Sequence, residues 1–185
     1  LVGRDNVDLV FGDALALDLA ALAPMPSKLV ANLPYNIATP IVAESLEGIP
    51  SLQRWCVMVQ REVADRFFAE PRTKAYGAVS VLVQLATRKV GFHPVPPTVF
   101  RPRPRVESAL LAFVREDGPP LEPVRPVVDA AFAHRRKTLA NSVALSGLAS
   151  REQAEAALEE IGKRANARAE ELAPPTFVEL AAALR

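Results

Sequence analysis

Leu29-Val30-Ala31-Asn32-Leu33-Pro34-Tyr35 is the stretch on which the fold of this chain turns. Three apolar residues run into an amide, a proline and an aromatic ring. A short apolar run closed in this way predicts a buried strand entering a turn. Thr39-Pro40 then predicts an N-cap with proline at the first helical position, and Gly48 predicts the helix stop. Upstream, Val7-Asp8-Leu9-Val10-Phe11 is a second apolar run, closed by Gly12-Asp13, and predicts another buried strand. Downstream, strands are expected over 55–60, 87–92 and 108–115, the last as an edge or antiparallel strand. Helices are expected over 62–69 and 78–86, although the valines of the latter leave a strand open. Strand and helix alternate to about residue 116, which predicts an α/β layered sheet.

Asp117-Gly118-Pro119-Pro120 reads as a linker. Beyond it Val128, Ala131, Phe132, Leu139 and Val143 fall near one face of a helix. Ser150 with Gln153, and Thr176 with Glu179, have the spacing of capping boxes. The expectation is a small all-α unit.

Half of the 185 residues are hydrophobic, enough for one good core or a core plus a small second unit. A net charge of +1 announces no nucleic-acid partner by itself. One cysteine, Cys56, excludes an internal disulfide and is expected to be buried and reduced in a cytoplasmic protein. Two histidines and that cysteine, widely separated, do not make a metal site. No apolar run is long enough to cross a bilayer, and no signal peptide is visible.

The chemistry sits at Asn32-Leu33-Pro34-Tyr35. The exocyclic nitrogen of adenine is a poor nucleophile because its lone pair is delocalised into the ring. Two acceptors on its two N–H bonds pull that lone pair out of conjugation. The Asn32 side-chain oxygen can be one, and a backbone carbonyl near Pro34 the other. Pro34 fixes its own φ and keeps Leu33 extended. Tyr35 offers a flat face to an extruded base. The set suits methyl transfer to an amino group, by positioning the amine in line with a methyl sulfonium. An ordinary strand-to-helix turn has the same composition, so the other motifs decide.

Asp13, just past the first apolar run, can accept from an adenine amine or a ribose hydroxyl. The dense prolines of residues 94–104 force a rigid extended loop that presents Phe100 as a second face for a base. Arg101, Arg103 and Arg105 alternate along it and can meet phosphates. His134-Arg135-Arg136-Lys137-Thr138 is expected as a positive knob on the first helix of the α unit. His93 is expected to be structural or partly exposed, and Trp55 to pack between sheet and helix. Gln60 and Arg61 end a strand on the active edge of the sheet.

Four segments in order carry a resemblance: Gly12-Asp13-Ala14-Leu15, Asn32-Leu33-Pro34-Tyr35-Asn36-Ile37, residues 95–108, and Phe132-Ala133-His134-Arg135-Arg136-Lys137-Thr138-Leu139-Ala140-Asn141-Ser142. Together they resemble the small-subunit ribosomal RNA adenine N6,N6-dimethyltransferase family (KsgA type). The resemblance implies a Rossmann-like sheet over 1–116, a partial S-adenosylmethionine-dependent methyltransferase domain, and a helical rRNA-contacting domain over 117–185. It implies methylation of two adjacent adenosines near the 3′ end of 16S rRNA, with a role in ribosome assembly. The catalytic set is then Asn32, Leu33, Pro34, Tyr35 and Phe100. Asp13, Ala14 and Asn32 are the cofactor contacts, and Arg101, Arg103, Arg105, Arg135, Arg136 and Lys137 the RNA contacts. The partner is the small ribosomal subunit, and a monomer is expected unless strand edges pair between chains.

The chain departs from the family pattern in having no Gly-x-Gly, no glutamine-containing opening segment and no ribose-binding acidic residue after a second strand. It opens on Leu1 rather than Met. The expectation is a chain truncated at its N-terminus, inactive and weak in S-adenosylmethionine binding. Two rival readings share the motifs: a large-subunit rRNA adenine methyltransferase of the antibiotic-resistance type, and a non-catalytic assembly or transcription factor on the same fold.

Overall fold

The computed structural model describes residues 5–18 and 21–185. Its centre is a four-stranded mixed sheet in the order β1-β2-β4-β3, made of β1 (Lys28–Asn32), β2 (Arg54–Gln60), β3 (Thr87–Val95) and β4 (Ser108–Arg115). β1 and β2 run parallel, joined by helix α1 (Ala38–Gly48). β4 runs antiparallel to both β2 and β3. It is therefore central rather than an edge, which its Ala109, Leu111 and Phe113 repay by complete burial. The α/β, Rossmann-like reading holds for the sheet and the helices on it.

One face of the sheet makes the core. Trp55, Val57 and Val59 of β2 alternate inward with the three buried residues of β4. Trp55 stacks on Phe113 at 5.2 Å and donates its indole N–H to Ser45 Oγ of α1 at 2.9 Å, so it does pack between sheet and helix. Helices α2 (Arg61–Phe67) and α3 (Ala78–Ala86) complete this layer, with Phe67 edge-on to Phe113. The valines of α3 do not make it a strand, because nearly every residue in it is buried between layers. On the opposite face Val30 is 75% exposed and Cys56 only half-buried. Cys56 is thus no core residue: in a strand with period two, burying Trp55 and Val57 turns it to the other side.

Helices α4 (Arg125–Phe132), α5 (Leu139–Leu145), α6 (Arg151–Glu160) and α7 (Pro174–Ala183) follow, with α4 and α7 packed on α3. Residues 117–120 lie down against the sheet unit rather than spanning a gap. A Cβ on Gly118 would collide with the Leu85 carbonyl oxygen, and Glu116 N–H donates to Ala86 O at 2.9 Å. The Ser150 capping box forms with Gln153. The Thr176 box does not, since the prolines at 174 and 175 start α7 after Ala173 and leave Thr176 buried inside it. Thr39 is likewise not an N-cap: α1 starts at Ala38, with Pro40 in its first turn where its missing N–H costs nothing.

Residues 7–11 do not form the expected strand. They are exposed, Phe11 by 87%, and no strand pairs with them among the described residues. Apolar content favours burial, but a strand also needs a neighbour for its N–H and C=O groups. Among the described residues, no helix is long and apolar enough to cross a membrane.

Candidate active site

β1 ends at Asn32, and its chain is passed to α1 by a turn held at both ends. Leu33 N–H donates to Met58 O at 3.0 Å, and Ile37 N–H to Pro34 O at 3.1 Å. Leu33 is buried in the core, so it anchors the turn from below. Asn32 and Pro34 are exposed and Tyr35 half-buried. The Asn32 amide has no hydrogen-bond partner among the described residues, which leaves its oxygen free to accept from an amine.

The proline-rich segment returns to this turn. After β3 it makes a short 3-10 turn at Pro97–Val99 and arrives at β4 by Ser108. Asn32, Leu33, Pro34 and Tyr35 line one side of an open cavity of about 320 Å³, with Phe100, Pro102 and Pro104 on the other. Two segments about seventy residues apart are thereby placed across a gap with an amide on its rim and two aromatic rings in its walls. A gap so lined can admit a flat ring bearing an exocyclic amine. The walls are joined: the Tyr35 hydroxyl lies 2.8 Å from Ser108 Oγ, and Ser108 is fully buried. Composition offered no sign of Ser108 beyond its place as the small hydroxyl where the loop re-enters an apolar run.

Arg101, Arg103 and Arg105 are exposed on the loop and carry no ion pair among the described residues. Gln60 and Arg61 support the loop from outside. Arg61 N–H donates to Glu107 O at 2.9 Å, while its guanidinium binds Asp65 and lies over the Phe92 ring. His93 is exposed.

Asp13 and Ala14 do not share this cavity. Asp13 Oδ1 accepts from Leu15 N–H at 3.0 Å in an exposed turn. Ala14 packs toward Leu29, Ala31 and Ile41, beside β1 and α1. The cofactor contacts read from the sequence are therefore split, Asn32 on the cavity and the acidic turn off it.

The basic run 134–137 is not helical. It forms the turn between α4 and α5, because Ser142 Oγ takes the role of the next helical turn. It donates to Ala130 O at 2.6 Å and accepts from His134 N–H at 3.1 Å, and Thr138 caps α5. Its three cations separate in consequence. Arg135 is exposed but tied down, donating to Lys74 O at 2.5 Å and Tyr76 O at 3.3 Å, with Glu170 at 3.6 Å. Arg136 and Lys137 remain exposed and without an ion pair among the described residues.

Two further arginines hold the frame, and sequence inspection does not single them out. Arg115 donates to Leu46 O at 3.0 Å in the last turn of α1 and to Leu52 O at 2.6 Å in the segment beyond it, and lies over Trp55. Burial lowers its pKa from the usual guanidinium value. Arg125 of α4 binds Glu44 and Glu47 of α1, both at 2.5 Å. Burial opposes its charge, but the hydrogen bonds it donates to Glu44 and Glu47 prevail and raise its pKa. Among the described residues no group of His, Cys, Asp and Glu is disposed to hold a metal.

The chain is similar to known proteins over nearly its whole length. Residues 3–184 match the family model described as "Ribosomal RNA adenine dimethylase". The chain is 49% identical over 179 residues to "Ribosomal RNA small subunit methyltransferase A" of Rubrobacter xylanophilus, covering 96% of this chain and 67% of that protein. It is 44% identical over 186 residues to the protein of the same name from Kineococcus radiotolerans, covering 97% of this chain and 61% of that one. Among solved structures, a dimethyladenosine transferase from Plasmodium falciparum superposes with a TM-score of 0.75 at 20% identity, covering 96% of this chain and 72% of that one, a likeness of fold. The 23S rRNA methyltransferase ErmE superposes with a TM-score of 0.61 at 26% identity, covering 97% and 72%. The chain belongs to the ribosomal RNA adenine dimethylase family and is an RNA methyltransferase by descent.

Proposed function

We propose that the cavity between Asn32 and Phe100 receives an adenine of small-subunit rRNA for methylation at N6. Two adjacent adenosines near the 3′ end of 16S rRNA would be its targets, during ribosome assembly in the cytoplasm. The observation that carries this reading is the single cavity shared by Asn32, Pro34, Tyr35 and Phe100. Asn32 Oδ1 accepts one amine N–H, and a carbonyl of the turn near Pro34 accepts the other. This localises the lone pair on nitrogen and aims it out of the ring plane. Tyr35 and Phe100 hold the ring by its faces. Arg101, Arg103 and Arg105 take the flanking phosphates, and Arg136 and Lys137 extend that contact to residues 117–185, the proposed rRNA-contacting unit.

S-adenosylmethionine supplies the methyl group in this chemistry. The residues present fit only part of it, because Asn32 lines the adenine cavity, Ala14 lies apart beside β1 and α1, and the Asp13 carboxylate is already engaged by Leu15 N–H. We therefore assign the 185-residue chain weak S-adenosylmethionine binding and little transfer on its own. Calorimetric titration tests this, and affinity in the ordinary micromolar range would refute it.

The fit to the ErmE structure favours one rival, a methyltransferase of large-subunit RNA. Binding of undermethylated small subunits against protein-free large-subunit RNA separates the two, with preference for the small subunit expected. Asn32→Ala is expected to leave that RNA binding intact. In a chain competent for transfer it lowers the rate by about a hundredfold or more, as for loss of a preorganised polar contact to the reacting group. An unchanged rate would leave only a binding factor.

A further inference from the structure

We infer that Ser108 is the positioning residue for the Tyr35 ring, so that Tyr35 serves the cavity by its face and not by its hydroxyl. The inference rests on the reading of the cavity as an adenine pocket. The Tyr35 phenol oxygen lies 2.8 Å from Ser108 Oγ, across seventy-three positions of sequence. Ser108 cannot yield. It is fully buried and is locked in the sheet, opposite Gln60 of β2 and Val95 of β3. Tyr35 is the member free to move: it is half-buried and stands in a turn whose backbone is tied at Leu33 and at Ile37, on either side of it.

An untethered tyrosine in a turn exchanges rotamers on the nanosecond scale, and each exchange removes the wall of the cavity. A hydroxyl partner set in a strand selects one of those rotamers. The same bond draws the phenol oxygen toward β4, which leaves the ring as the surface offered to a ligand. It also ties the two walls together, since Ser108 is where the loop bearing Phe100 enters β4. Ser108 thus acts through Tyr35 and touches no reacting atom.

Two readouts on the 185-residue chain test this. In the first, the ring Cζ resonance of isotope-labelled Tyr35 is followed by NMR without RNA. Ser108→Ala is expected to move it, and Tyr76, the other tyrosine, serves as internal reference. In the second, quenching of 2-aminopurine in a small-subunit rRNA hairpin reports stacking of the extruded base. Ser108→Ala and Tyr35→Phe are each expected to weaken stacking by about three- to tenfold, the range for one hydrogen bond. Together they should cost no more than either alone, because both remove the same bond. Additive losses, or a Tyr35 resonance indifferent to Ser108→Ala, would overturn the assignment and leave Ser108 a packing residue. Absence of quenching by the unaltered chain would instead sink the adenine-pocket reading, with the resonance still deciding whether Ser108 holds the ring.

Discussion

The two ends of the sheet use the same side chain in opposite ways. At the end where β1 stops, Arg101, Arg103 and Arg105 stand in solvent on a proline-stiffened loop, beside an open cavity. At the other end Arg115 is turned onto carbonyls of the α1 terminus and of the segment after it, and lies over Trp55. The α-helical half repeats the contrast within three consecutive residues, with Arg135 bonded to the Lys74 and Tyr76 carbonyls and Arg136 and Lys137 without an ion pair among the described residues. Guanidinium groups are thus of two kinds here. Some satisfy backbone carbonyls, and some remain available to a phosphate. Position in sequence does not separate them, whereas the presence of orphan carbonyls nearby does.

The sharpest way to break this contrast is Arg115→Ala. Several carbonyls lose a charged donor at once, and a loss of about 2–3 kcal/mol is expected, read from thermal or denaturant unfolding. A loss below about 0.5 kcal/mol would place Arg115 with the free cations.

Arg135→Ala should follow at about 1–2 kcal/mol, for the bonds to Lys74 O and Tyr76 O. Arg136→Ala and Lys137→Ala should stay within about 0.5 kcal/mol of the parent. The order should invert for RNA. Each of Arg136 and Lys137 is expected to reduce the salt dependence of RNA binding by about one unit of slope when replaced, and Arg135 by none.

Replacing Arg101, Arg103 and Arg105 together by Ala should lower that slope by up to about three units and leave the unfolding temperature where it was. A fall in stability would mean that the loop depends on them.

The smallest effect is expected at Asp129, beside Arg125 at 3.7 Å. Burial raises its pKa, helped by the charge of Glu44 and opposed by Arg125. The folded chain then holds this proton to higher pH than the unfolded one. Its contribution favours folding below the ordinary carboxylate pKa and is lost as pH rises through the raised value. Asp129→Asn should flatten stability in that mildly acid window and change it by less than about 0.5 kcal/mol at neutral pH. A larger loss at neutral pH would show that its pairing with Arg125 outweighs the burial cost.

Much of this was legible in the chain. The run 29–31 became β1, residues 55–60 fell within β2, and residues 78–86 became α3, because period and apolar content decide local structure where a core is at hand. The cavity was legible too, since proline fixes local backbone direction and Tyr35 and Phe100 have little to do in a loop except present a face. The misreadings have separate causes. Residues 7–11 have strand composition and no strand neighbour. Thr39 and Thr176 have cap spacing but lie inside helices that prolines and burial start earlier. The run 134–137 looked helical until Ser142 supplied the closing bonds from a distance.

By itself, then, the sequence determined the α/β order, the chemical character of the Asn32 turn and the family, since these rest on residue type and short-range spacing. Only the tertiary structure decided that β4 is central, that Asp13 lies off the cavity, that Arg115, Arg125 and Arg135 are structural, and that Tyr35 is held by Ser108. Each of those depends on which donor meets which acceptor across dozens of residues, and a hydrogen bond is set by distance and direction in space, which spacing along a chain does not encode.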